Sequence, residues 1–140
     1  RLDWLDRNLA AAPETPTLVF LHHPPFTSHI PALDAIGLDG IDGLARTLER
    51  HPQVASLHAG HGHRTMHGRL GGIPVTAAAA TCHHMALDFH EPAFAVTYEP
   101  PSFQLIVAEA GAVMCHTVHF AEADGPRLDY AAMRNNYLPA

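Results

Sequence analysis

The chain has 140 residues, 47% of them hydrophobic and 16% charged, a composition that supports one packed core, as a domain or part of one, and excludes a disordered chain. Eight basic against fourteen acidic side chains give a net charge of -6 with no basic cluster, which excludes a positively charged face for nucleic acid. No apolar run approaches the roughly 18 residues of a membrane span and no signal-peptide pattern opens the chain, so a cytoplasmic protein with no membrane partner is expected.

Leu2, Leu5 and Leu9 recur at helical spacing beside Trp4, and Pro13 closes the run, which predicts a helix over about residues 2–12. Arg1 stands in its first turn with no methionine before it, so residues upstream are expected. Thr17 to Leu21 is a short apolar run, expected as a parallel strand covered on both faces. His22-His23-Pro24-Pro25-Phe26 follows, where two prolines fix the backbone just after the histidines. Residues 27–37 read as a loop carrying His29. Ile41, Leu44, Ala45 and Leu48 mark an amphipathic helix, with Asp39 or Asp42 as N-cap and Pro52 as terminator. Val54 to Leu57 is the next strand, and Gly60-His61-Gly62-His63 follows it. Two strands joined through a helix predict a parallel crossover, which places His22 and His61 at neighbouring strand ends on one edge of the sheet.

From Met66 the rhythm changes. Met66 to Leu70, a turn at Gly71-Gly72, and Ile73 to Ala78 read as a hairpin. Phe94 to Tyr98, Ser102 to Glu109 and Ala112 to Phe120 continue as β-structure around a turn at Ala110-Gly111, with Tyr98 and Phe103 expected in the core. Residues 121–140 carry few periodic apolar positions and are expected to form a tail.

Thirteen scattered histidines are the unusual feature. Two groups of them, His22-His23 and His61-x-His63, each end an apolar strand. At i and i+2, His61 and His63 would share one face of an extended strand; Gly60 and Gly62 loosen the backbone so that both rings can turn toward one place. That arrangement suits two metal ions, since neutral imidazole is the commonest side-chain ligand. His51, His58, His67, His116 and His119 read as exposed or satisfied residues, His29 and His84 as surface or entrance residues, and Arg64 as solvated. Cys82 and Cys115 are too few and too far apart for a disulfide framework or a cysteine zinc site, and read as small hydrophobes.

Leu21-His22-His23-Pro24-Pro25 and Gly60-His61-Gly62-His63 resemble the last two metal motifs of the calcineurin-like metallophosphoesterases. Leu2-Asp3-Trp4-Leu5, Ala80-Thr81-Cys82-His83 and Pro100-Pro101-Ser102-Phe103-Gln104-Leu105 resemble one branch of that superfamily, the class III cyclic-nucleotide phosphodiesterases and glycerophosphodiesterases. The resemblance implies an α/β fold: the carboxyl-terminal half of a four-layer α/β-β/α sandwich, a mixed sheet with flanking helices, over residues 1–120. It implies His22 and His61 as ligands of the second metal and His63 as a ligand of the first, with His23, Gly60, Gly62 and His83 supporting ligands or substrate.

The family's upstream motifs, an Asp-x-His, a Gly-Asp and a Gly-Asn-His, have no counterpart here; Asp88-Phe89-His90 follows the histidine loop and reads as coincidence. The expected function is therefore dinuclear-metal hydrolysis of phosphodiesters, cyclic nucleotides or glycerophosphodiesters, with two ions drawn from iron, manganese, zinc and cobalt. No catalytic acid is assigned. An amino-terminal half, or self-association over the same face, is the expected partner, and the chain alone is expected to be inactive. The alternative is a non-catalytic, histidine-rich metal-binding module.

Overall fold

The computed structural model describes residues 1–109 and 111–120; the tail expected over 121–140 lies outside the described residues. Helix α1 (Leu2–Ala10) leads into strand β1 (Thr17–Phe20), then a short helix α2 (Pro31–Asp34), helix α3 (Ile41–Leu48) and strand β2 (Val54–Ala59). Strands β3 (Met66–Leu70), β4 (Ile73–Ala77), β5 (His84–Met85), β6 (Val96–Thr97), β7 (Ser102–Glu109) and β8 (Ala112–His119) follow. A four-stranded sheet of order β1-β2-β4-β3 pairs β1 and β4 parallel to β2, while β3 runs antiparallel to β4. Ribbons β5–β6 and β7–β8 are antiparallel pairs of their own. The fold is mixed α/β around a mixed sheet. Among the described residues no helix is long and apolar enough to cross a membrane.

The core follows from the apolar periodicity. Leu57 and Val75, register partners across β2 and β4, are 0% and 1% exposed. Leu9 of α1 and Leu44 and Leu48 of α3 join them in one cluster, the latter two stacked at the i, i+4 spacing that puts them on one helical face. Polar tethers close the frame. Asp6 accepts from both Arg50 and the buried His51 at 2.8 Å, and these hydrogen bonds, His51's first, hold its carboxyl below the usual range. Gln104 of β7 bonds Thr76 and the Ala77 carbonyl, each at 3.2 Å, which ties the long ribbon to the sheet.

Several expectations need adjustment. The first helix ends at Ala10, two residues early. Pro31 starts a helical turn inside the stretch read as a loop. The N-cap of α3 is Gly40, at φ 79°, rather than either neighbouring aspartate, because the chain enters the helix through the left-handed region that glycine tolerates best. Among the described residues β1 is paired on one side only, so it is an edge strand, and Phe20 is 67% exposed instead of covered. Tyr98 and Phe103 are likewise exposed: Tyr98 follows the short strand β6, which among the described residues pairs only with β5, and Phe103 stands on β7, which pairs only with β8.

His58 of β2 is buried with both ring nitrogens engaged, Nε2 with the Ser56 hydroxyl at 2.9 Å and Nδ1 with the Thr76 hydroxyl at 2.8 Å. Burial lowers its pKa below the ordinary 6.5. The unfolded chain therefore takes up this proton more readily, so the contribution is intact above that ordinary value and is lost as pH falls below it. The urea midpoint is expected to be lower at about pH 5.5 than at about pH 7.5, with a smaller difference in His58→Gln. An unchanged difference in the variant would place the acid sensitivity elsewhere.

Candidate metal centre

The parallel ladder between β1 and β2 continues beyond the strands. Leu21 N–H donates to the His58 carbonyl and Gly60 N–H to the His22 carbonyl, both at 3.0 Å, so the two histidine loops are joined main chain to main chain. Gly62 N–H then donates to the Gly60 carbonyl at 2.6 Å, closing a three-residue turn with His61 at its apex. His61 sits at φ 61° and His63 at φ 46°, a region that side-chain-bearing residues rarely occupy. The backbone freedom expected of Gly60 and Gly62 is thus taken up by the histidines themselves. Gly62 serves by its size: a Cβ there would lie 2.6 Å from Met66 Cε.

The turn brings His61 Nδ1 to 3.2 Å from His22 Nε2. Two imidazole nitrogens on one tetrahedral zinc stand about 3.3 Å apart, so this pair already has ligand spacing. His23 completes the group, its ring centroid 4.0 Å from that of His61, and one ring nitrogen from each of the three lies within 4.8 Å of the others. His61 Nε2 is buried without a hydrogen-bond partner. Burial first, then the neighbouring His23 and His22, lowers the His61 pKa, which favours the neutral ring that a cation requires. These donors fit a metal ion.

His63 faces another way. Its ring packs 4.7 Å from that of His83, and with Cys82 the two make a second group whose ligand atoms lie within 4.8 Å of one another. The structure therefore gathers His22, His23 and His61 in one group and His63 and His83 in the next. Cys82 joins the second as a potential ligand; the only hint in the sequence is its place immediately before His83. Among the described residues neither group includes a carboxylate.

The loop is strapped from the other side by the β5–β6 ribbon. Arg64 donates to the Met85 carbonyl at 2.5 Å and to Glu99 at 3.0 Å, and Met85 N–H reaches the His63 carbonyl at 3.4 Å. Arg64 is therefore paired rather than solvated, and its hydrogen bond holds the Glu99 carboxyl below the usual range. His84 is only 2% exposed, not a surface residue, and its Nδ1 has no partner.

No family model matches the chain. Over 129 residues it is 36% identical to a probable glycerophosphodiester phosphodiesterase of Arcobacter nitrofigilis, covering 90% of this chain and 47% of that protein. It is 34% identical over 131 residues to a probable cyclic nucleotide phosphodiesterase of Rhodopseudomonas palustris, covering 90% of this chain and 46% of the relative. A 3',5'-cyclic adenosine monophosphate phosphodiesterase of Escherichia coli K12 is 30% identical over 119 residues, 85% of this chain and 42% of its own. The chain spans about half the length of the curated relatives it matches.

One contact outside the histidines positions the first group. Phe26, which closes the His22-His23-Pro24-Pro25 loop, packs on Gly68 of β3, where a Cβ would meet its ring at 2.7 Å. Gly68→Ala is expected to push Phe26 and the loop outward, at a cost of about 1–3 kcal/mol in stability, and to weaken zinc binding. Urea unfolding and calorimetric zinc titration read the two effects. Wild-type zinc affinity in the variant would show that Phe26 does not hold the loop.

Proposed function

We propose that this chain, which belongs to the calcineurin-like metallophosphoesterase superfamily, contributes His22, His61 and His63 to the two-metal centre of an enzyme hydrolysing phosphodiesters, either cyclic nucleotides or glycerophosphodiesters. One observation carries the reading: His22 Nε2 and His61 Nδ1 stand 3.2 Å apart at the ends of paired parallel strands, in a chain whose relatives are named phosphodiesterases. In this reading His22 and His61 hold one ion and His63 the other, with His23, Gly60, Gly62 and His83 in support. The ions are drawn from iron, manganese, zinc and cobalt, and when bound they would lower the pKa of a water and neutralise phosphate charge.

Three neutral imidazoles do not suffice to hold two such ions. Two divalent ions about 4 Å apart repel by on the order of 15 kcal/mol at an effective dielectric constant near 20, so anionic ligands must lie between or beside them. Those carboxylates, in this proposal, come from an amino-terminal half that completes a four-layer sandwich, with residues 1–120 as the carboxyl-terminal half of the catalytic domain. Two features support a missing neighbour. Among the described residues the edge strand β1 is unpaired on one side, and a cleft of about 730 Å³ beside it, lined by Trp4, Leu5, Leu18 and Phe20, runs up to His22 and His23. Self-association over this same edge and cleft is the alternative cover, and the exposed Trp4 and Phe20 there support it.

The test supplies the amino-terminal half as a separate polypeptide with manganese or zinc, and follows hydrolysis of bis-p-nitrophenyl phosphate. Activity is expected only from the combination, falling by about a hundredfold or more on His61→Ala. Full activity from the isolated monomeric chain would overturn the need for a partner. One bound ion and no activity in the combination would leave a metal-binding module.

A further inference from the structure

We propose that His63, Cys82 and His83 form a second, mononuclear site for a thiophilic divalent cation, zinc above all, and that this site competes with the two-metal centre for His63. The competition rests on the reading just given, through the shared His63; the site itself does not.

Cys82 Sγ lies 3.5 Å from His83 Nδ1, and a sulfur and a nitrogen on one tetrahedral zinc stand about 3.6 Å apart. The three ligand atoms lie within 4.8 Å of one another, so closing on one ion asks for side-chain rotation of about an ångström. His63 Nδ1 is buried without a partner, a condition that disfavours the free site. Cys82 is exposed, so an ion reaches the site from solvent and keeps a water in the fourth position. One thiolate and two imidazoles prefer zinc or cobalt to magnesium or manganese, and the thiol releases its proton to solvent on binding. A zinc ion held there occupies His63, and the two-metal centre loses that ligand. Excess zinc should then inhibit an enzyme that works with manganese, through Cys82.

Cobalt reports the site directly, because a thiolate ligand adds a sulfur-to-cobalt charge-transfer absorption in the near ultraviolet that imidazoles alone do not give. Titration of the full chain with cobalt under reducing conditions is expected to show that absorption, saturating at one ion per chain. It should vanish in Cys82→Ser and weaken in His83→Ala, yet persist in Cys115→Ser and in His22→Ala. Zinc should displace the cobalt, with an affinity about tenfold or more lower in Cys82→Ser. Absence of the absorption, or its loss in Cys115→Ser instead, overturns the site. Its loss in His22→Ala overturns the separation of the two groups. Persistence in His22→Ala upholds the site even if the two-metal reading fails, because His22 belongs only to the latter.

Discussion

The parallel pairing of β1 with β2 is the constraint on which the histidine site depends. Buried backbone groups need partners, and here the ladder keeps pairing past the last strand residues until it reaches the Gly60 amide and the His22 carbonyl. The register is therefore set by main chain, before any side chain is placed. A slip of one residue would send His22 to the other face of the sheet and separate it from His61. Because Val19 of β1 sits in register with the fully buried Leu57 and packs against the core cluster, the core penalises such a slip as well. Packing thus fixes the register, and the register aligns the histidines.

Beyond that point the geometry is strained. Left-handed backbone at His61 and His63 costs on the order of 1–3 kcal/mol each, and persists only where neighbours over-determine it. The neighbours are visible: Gly62 fitted under Met66, the paired Arg64 side chain, and the Met85 amide on the His63 carbonyl. None of these contacts is to a metal ligand atom. The protein therefore holds the loop by its backbone, which leaves His61 Nε2 and His63 Nδ1 without hydrogen-bond partners among the described residues.

The crossover and both long hairpins were legible in the sequence because apolar periodicity and glycine turns are local signals, and the parallel pairing of residues 17–20 with 54–58 followed from the helix between them. What the periodicity does not carry is the neighbour. Phe20, Tyr98 and Phe103 are apolar in apolar runs, yet each is exposed, because burial depends on which strand or ribbon lies alongside. The pairing of Arg64 leaves no local signal, because its carboxylate partner, Glu99, lies 35 residues away. Cys82 has no second cysteine at zinc-site spacing, whereas a thiol beside two imidazoles is a mixed set that only folding assembles. His58 shows the opposite case: of the two expectations, exposed or satisfied, the second holds, with the Ser56 and Thr76 hydroxyls on its ring.

Two residues apart, His61 and His63 would share one face of an extended chain, and the left-handed turn separates them: one ring goes to His22 and His23, the other to Cys82 and His83. A pair of donors divided in this way suits two ions side by side better than one ion between them, provided negative charge lies along the seam. Neither group includes a carboxylate among the described residues, so the neutral imidazoles provide position without the charge that two cations need. In the two-metal proposal that missing charge, rather than the number of histidines, is what a neighbour along the side of β1 left unpaired among the described residues would supply.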